Sequence, residues 1–338
     1  ADGSGIQTRA REQQPPLTRD ARPGAVRPMS LLSECRLRER IGKGAFGKVF
    51  RGELLRAGVP TEVAVKMCDT DSEDDREVAM REVALLRRAA RHPNMVQLLG
   101  VHCTPTSVQV FLELCECSLT DLVKERRAPL PERSVRALLP SLLEALRFMH
   151  EEMNIVHRDV KGGNVLVTRT GEVKLTDFNV SARLSTAKPA CGTACGTPQW
   201  MAPEVITGGS YGQSADVWSL GITLLEVLEG SVPHASIDPM AAMFRIVTSP
   251  PPVLSDPAAF SAALSQFLCV CLIKDAKGRP AARQLLQHPL LKLEPADPLA
   301  RAHALCNLVW ERQERQREAA AAAAAPPSEA KLALAAAA

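Results

Sequence analysis

The stretch that most narrows what this chain can become is His157-Arg158-Asp159-Val160-Lys161-Gly162-Gly163-Asn164, followed by Asp177-Phe178-Asn179. A carboxylate, a lysine two residues on and an amide three further sit in one loop. The carboxylate can orient a hydroxyl and take its proton. The lysine can hold a phosphate, and the amide can bind a metal. A second carboxylate at 177 supplies the main metal ligand, since Mg2+ prefers oxygens from one or two carboxylates completed by substrate phosphates. Such a set works only if the fold brings Asp159 and Asp177 into one cleft.

Two further stretches supply what that loop lacks. Residues 42–49 read Gly-Lys-Gly-Ala-Phe-Gly-Lys-Val. Glycines at 42, 44 and 47 let backbone N–H groups approach phosphates with no Cβ in the way. The same spacing suits a plain hairpin turn or, ahead of a helix, a dinucleotide site. Strand-like sequence follows here, which argues against the dinucleotide reading. Val63-Ala64-Val65-Lys66 ends an apolar strand on a lysine, nineteen residues after Gly47. Such a lysine commonly snorkels to the surface, yet at this spacing it is a candidate phosphate ligand. Its charge needs a fixed partner. Glu82 and Glu77 compete for that role on one predicted helix, and the 3.6-residue period puts them on different faces. Val83, Leu85 and Leu86 crowd around Glu82 and mark its face as the inward one.

Together these stretches resemble the signature of the eukaryotic-type protein kinase superfamily, over about residues 35–292. Ala202-Pro203-Glu204, Asp216-Val217-Trp218-Ser219-Leu220-Gly221 and Lys277-Gly278-Arg279-Pro280 extend the resemblance. It implies an α+β bilobal fold: a small antiparallel β lobe with one helix, joined by a hinge to a large, mainly helical lobe. It implies ATP and Mg2+ as cofactors, with Mn2+ as a substitute, and a protein substrate. Lys66, held by Glu82, would orient phosphates. Asp159 would act on the acceptor hydroxyl and Lys161 on the γ-phosphate, while Asn164 and Asp177 would hold the metal. Ile41, Gly42, Gly44, Gly47, Val49, Ala64, Leu166 and the backbone of Glu113 and Cys115 would bind the nucleotide. Leu112 would guard the back pocket. Leu86, Leu98, His157 and Phe178 would stack as an apolar column, and Arg279 would pair with Glu204.

Lys161 two residues after Asp159, with Thr197 in Gly196-Thr197-Pro198, resembles the serine/threonine pattern. The closest patterns are the MAP kinase kinase kinase and sterile-type groups, with tyrosine-kinase-like serine/threonine enzymes as neighbours. Gly163 stands where kinases favouring basic substrates often carry an acid, so no strong demand for upstream arginine is expected. Arg158 beside Asp159 implies control by a phosphate on Ser185, Thr186 or Thr193, hence an upstream activating kinase as partner. The pattern breaks at Asn179, where a glycine is usual. Asparagine is the non-glycine residue that best tolerates left-handed backbone angles, and Lys66, Asp159, Asn164 and Asp177 are all kept. An active enzyme is the expectation; the alternative is a weak pseudokinase serving as a nucleotide-binding scaffold.

The rest of the chain frames this block. Residues 1–30 are rich in Arg, Gln and Pro without periodicity and read as a disordered basic arm. Residues 293–338 read as a helical to low-complexity tail: Arg301–Glu318 suits a helix, and Ala319–Ala325 is an alanine run. The predicted helices of the block are 72–90, 134–151 and the mostly apolar 217–228, and the predicted strands are 36–41, 48–53, 62–67 and 108–113. A net charge of +3 spread along 338 residues gives no case for nucleic acid. No run of about 18 apolar residues predicts a membrane span. Ten cysteines lack zinc-site spacing. Reduced thiols in the cytoplasm, or in the nucleus, are expected; the near-duplicate around Cys191 and Cys195 leaves a redox role as the lesser reading.

Overall fold

The computed structural model describes residues 35–44, 47–56, 58–178, 182–183, 196–209, 211–292 and 298–324. The expectations for the arm, for Asn179, for Ser185, Thr186 and Thr193, and for Cys191 and Cys195 lie outside the described residues.

Five strands form the first sheet: β1 Arg36–Gly44, β2 Gly47–Arg56, β3 Val59–Asp69, β4 Leu98–Cys103 and β5 Ser107–Glu113. Their order is β1-β2-β3-β5-β4, antiparallel throughout. The period of two along β3 gives the sheet its two faces. Val63 and Val65 pack with Leu54 and Phe111 in a small outer cluster. Ala64 and Cys68 join the main core on the other face, and Lys66 lies between them on that side. β4 escapes the sequence pattern because Leu-Leu-Gly-Val-His-Cys does not alternate; it is an edge strand whose register shifts between Leu98 and Gly100.

Helix α1 spans Glu73–Ala89. Ser72 caps it: its hydroxyl accepts from Asp75 N at 3.1 Å while the Asp75 carboxylate accepts from Ser72 N at 3.1 Å. Acids fill the first turn and Arg87 and Arg88 the last, as the helix dipole favours. Ala79, Glu82, Val83, Leu86 and Ala89 form the buried stripe. Glu82 therefore sits inside an otherwise apolar face, while Glu77 stays outside and pairs with Arg81 at 2.5 Å.

The larger half begins with β6 Cys117–Ser118, α2 Leu119–Arg126 and α3 Glu132–Arg147. A wider helical turn, Phe148–Glu152, continues α3, so the predicted 134–151 helix is divided near its end. Short strands follow: β7 Ile155–Val156, β8 Val165–Val167, β9 Val173–Leu175 and β10 Ala182–Arg183. They pair as β10-β7 and β6-β8-β9. Next come α4 Pro203–Ile206, α5 Gln213–Glu229, α6 Pro239–Thr248, α7 Ala262–Cys271, α8 Ala282–Leu285, α9 Pro289–Lys292 and α10 Pro298–Ala324. In α5 every residue from Ala215 to Leu228 is buried, Trp218 among them. Buried all round, α5 is the axis on which this half packs. A sheet-rich part and a helical part thus make a bilobal α+β fold.

Candidate active site

Three elements meet at Lys66. Register sets Val49 opposite Lys66 and Leu112 opposite Ala64, so Val49, Ala64 and Lys66 share one face. Gly42 lies opposite Val49. At Gly47, with φ of 151°, an added Cβ would lie 2.2 Å from the Met67 carbonyl oxygen, so only glycine fits. Ile41 and Gly44 lie on β1, which carries the glycine-rich hairpin. Lys66 Nζ donates to Glu82 Oε1 at 2.6 Å and lies 3.8 Å from Asp177 Oδ1. Burial works to lower the Lys66 pKa, but Glu82 and Asp177 outweigh it and hold the ammonium charged. Burial pushes the Glu82 carboxyl above the usual carboxylate range, and Lys66 offsets only part of that.

Asp159, Lys161 and Asn164 occupy the loop between β7 and β8. Asp159 is the centre of a closed network. Its Oδ2 accepts from Lys161 Nζ at 2.7 Å and from Asn164 Nδ2 at 3.0 Å. Its Oδ1 accepts from the Thr197 hydroxyl at 2.7 Å and from Thr197 N at 3.1 Å. Lys161 Nζ also donates to Thr197 Oγ1 at 2.7 Å. Burial pushes the Asp159 carboxyl up, yet the bonds from Lys161 and Thr197 win and hold it below its ordinary value. Asn164 Nδ2 also donates to Asp159 O at 2.8 Å, so the amide nitrogen is committed to the loop. The amide oxygen is then the atom suited to a cation.

Asp177 follows β9 with φ of 71°, and Arg158 has φ of 74°. Left-handed backbone at two non-glycine residues is strain that the surroundings must hold. At Arg158 the holder is Asp216, at the start of α5. Its buried carboxylate accepts from His157 N and Arg158 N at 2.8 Å each, and lies 2.7 Å from His150 Nε2. Burial raises the Asp216 pKa, but His150, His157 and the Arg158 N–H outweigh it and leave the carboxyl below its ordinary value. The sequence reading gives Asp216 and His150 no part in the site. The available signal was an acid inside an apolar helix, which must find donors to be buried.

The remaining expected residues are placed as follows. Leu166 lies on β8 and packs, like Val49 and Leu98, against the main core. Glu113 N donates to Gln97 O at 3.0 Å, and the Glu113 carboxylate lies 3.3 Å from Lys174. Cys115, just after β5, is a partly buried thiol whose pKa burial raises to about 12. The His157 and Phe178 rings lie 5.7 Å apart, and Leu86 and Phe178 are buried. Arg279 Nη1 and Nη2 donate to the two Glu204 oxygens at 2.7 Å each, a bidentate bridge.

No group of three or more His, Cys, Asp or Glu converges as a metal site among the described residues. The fitting donors are Asp177 and the Asn164 oxygen. Both are hard oxygens of the kind Mg2+ takes together with substrate phosphates and water. The donor set fits a divalent ion shared with a nucleotide. Among the described residues no helix is long and apolar enough to cross a membrane. The chain matches the family described as Protein kinase domain over residues 35–291.

Proposed function

Since the chain belongs to the protein kinase family, we propose that it transfers the γ-phosphoryl group of ATP to serine and threonine hydroxyls of other proteins. Membership of the family supports a phosphotransferase and implies the use of ATP, a divalent metal and a protein substrate. The serine/threonine choice, Mg2+ and the residue roles are our reading. The observation that carries it is the triangle of Asp159, Lys161 and Thr197, each side 2.7 Å.

In this reading Lys66, fixed by Glu82, binds the α- and β-phosphates. Asp177 and Asn164 hold Mg2+, which neutralises charge on the phosphates when bound. The glycine loop with Ile41, Gly42, Gly44, Gly47 and Val49, together with Ala64, Leu166 and the backbone of Glu113 and Cys115, holds the nucleotide. Asp159 stays ionised and orients the acceptor hydroxyl and takes its proton. Lys161 stands beside it to steady the γ-phosphate. Thr197 ties both to the chain that leads into the acceptor side. Catalysis of this kind is positioning and charge neutralisation. The subgroup reading, MAP kinase kinase kinase or sterile-type, rests on Lys161-Gly162-Gly163-Asn164 and on Gly196 to Glu204. Arg158, directly beside Asp159, supports control by an upstream kinase, as the group with which a phosphate on the following segment would pair.

Asn179 favours the second reading, a pseudokinase scaffold. Against it, the described residues keep the Lys66–Glu82 pair and the Asp159 network intact. Incubation with ATP, Mg2+ and myelin basic protein, beside Asp159→Asn, separates the two. Phosphoserine or phosphothreonine from the wild type alone is the expected result. Equal signal from both proteins would establish the scaffold. A large gain on Asn179→Gly from a near-zero baseline would do the same.

A further inference from the structure

The family match ends at Leu291, but the packed structure goes on. Helix α10, Pro298–Ala324, lies behind the cleft. Ala302, Leu305, Val309, Arg312 and Gln316 recur every three or four residues and so share one face. That face has three seats. At its start it meets the turn between β8 and β9. A Cβ on Gly171, whose φ is 79°, would lie 2.2 Å from Ala302 O and 3.0 Å from Cys306 Sγ. In its middle, Leu305, Leu308 and Val309 join the main core. At its end, Arg312 donates to Glu125 on α2 at 2.8 Å and to the Glu116 carbonyl at 3.3 Å.

The last seat matters because of what surrounds Glu116. Glu116 directly follows Cys115. Its N–H donates to Val167 O, the last residue of β8, at 2.9 Å. That N–H and the Cys115 carbonyl belong to one planar peptide, so tying down one aims the other. The next carbonyl along, that of Glu116, is the one held by Arg312. The Glu116 carboxylate lies between Arg312, at 3.8 Å, and Arg169, at 3.5 Å. β8 also carries Leu166, and the turn after β8 is the one seated on Ala302. The edge and the wall of the nucleotide site thus rest on one helix, at points about 15 Å apart along its axis.

We propose that α10 is a rear strap of the nucleotide site, with Arg312 as its positioning residue: it fixes the Glu116 peptide relative to β8, so that ATP affinity is set in part by a helix outside the matched domain. This rests on the placing of the nucleotide against Cys115 and Leu166 given above. Arg312 touches neither ATP nor acceptor. Among the described residues its partners are Glu116 and Glu125, not Lys66, Asp159 or Lys161. Its loss should therefore show on ATP affinity and leave the transfer step alone.

The test is direct titration of the full chain with a fluorescent ATP analogue and Mg2+, beside steady-state kinetics with ATP and acceptor varied separately. Gly171→Asn keeps a residue that tolerates left-handed backbone but puts a Cβ against the helix. It should weaken ATP binding by about 3- to 10-fold. Arg312→Met keeps the stem and loses the donors, and should weaken it by about 2- to 5-fold, the worth of one such hydrogen bond. The kcat at saturating ATP and the KM for acceptor should hold in both. Glu311→Ala is the control. It breaks the pair with Arg126 on the same helix but not the contact with Glu116, and ATP affinity should stay at the wild-type value. Lower melting temperatures for Gly171→Asn and Arg312→Met with unchanged ATP affinity would overturn the proposal, leaving α10 a buttress of the fold. So would an equal loss of affinity in Glu311→Ala, or a fall in kcat matching the loss of affinity. A wild type that binds no ATP would end the nucleotide reading instead. Amide exchange then decides on the strap: Arg312→Met should speed exchange in 115–118 and leave 73–89 unchanged, and an unchanged pattern in 115–118 would overturn it.

Discussion

The two sides of the cleft are built differently. On the sheet side, Lys66 and Glu82 make one short contact, and among the described residues Lys66 has beyond it only a 3.8 Å approach to Asp177. On the helical side, the Asp159 carboxylate receives four hydrogen bonds from three residues, and the Asp216 carboxylate braces the same loop from below. One side is a pair of buried charges held mainly by each other. The other is a network with its lone pairs satisfied before any ligand arrives. Preorganised dipoles need no rearrangement at the moment of reaction. A pair of charges that depends on the position of one helix, α1, is the part that ligand or regulation can complete or undo.

The largest effect that could break this contrast is on the networked side. Asp159→Asn should lower kcat by about 10²- to 10⁴-fold, the range for losing a general base. KM for ATP should stay put, measured with saturating acceptor. An equal loss of ATP affinity would mean that the two sides are not separable. On the paired side, Glu82→Ala should raise KM for ATP and destabilise the fold by about 3–5 kcal/mol, because it leaves the Lys66 ammonium buried without its main partner. The double change Lys66→Met with Glu82→Leu should be less destabilising than Glu82→Ala alone, since no charge is stranded. Chemical denaturation of the three proteins measures this, and a double variant less stable than the single one would refute the picture of a pair held mainly by itself.

Acidification should separate the two sides as well. Glu82 carries a raised pKa, while Asp159 and Asp216 carry lowered ones. A raised carboxyl contributes stability below its unfolded value and loses it as pH climbs through its folded value. The lowered aspartates do the reverse: their stability is present above their unfolded values and is lost as pH falls through the folded ones. On lowering pH, Glu82 takes its proton first and releases Lys66 while the Asp159 network still stands. Activity should therefore decline before the melting temperature does. The Asp216→Asn variant should lose stability at neutral pH and show a flatter dependence of melting temperature on pH. Parallel titration of kcat/KM and of thermal melting checks the order, and a fold that melts before activity declines would reverse it.

The sequence carried the chemistry of this site better than its support. Lys66, Asp159, Lys161, Asn164 and Asp177 are polar residues at fixed spacing in short stretches, and the family resemblance carried by that spacing is what points to them. Glu82 over Glu77 was legible because helical period separates the two faces, and only one bears Val83 and Leu86. β3 was legible from its alternation. Asp216 was not, because its partners lie 58 to 66 positions away, as for Arg158 and His150. A buried acid advertises a need for donors but not which ones. β4 was hidden because a central glycine and a register shift erase alternation at a sheet edge.

The smallest effect concerns the helix beyond the matched domain. Composition predicts α10 as a helix over 301–318, and it runs from Pro298 to Ala324. Composition does not say that it docks. Leu305, Leu308 and Val309 are buried, and Ala302 O lies where a Cβ on Gly171 would collide. Arg312 donates to Glu125 at 2.8 Å and to the Glu116 carbonyl at 3.3 Å, next to Cys115 in the segment that joins the two sides of the cleft. Arg126 pairs with Glu311 at 2.6 Å. The buried leucines carry the docking, and the rim ions add little each. Arg312→Ala should cost about 1 kcal/mol and lower the melting temperature by about 2–4 °C. Its effect on kcat should be far below that of Asp159→Asn. Should it instead raise KM for ATP as strongly as Glu82→Ala does, α10 would have to be counted with the paired side of the cleft, and the segment at Glu116 would be the route by which it acts.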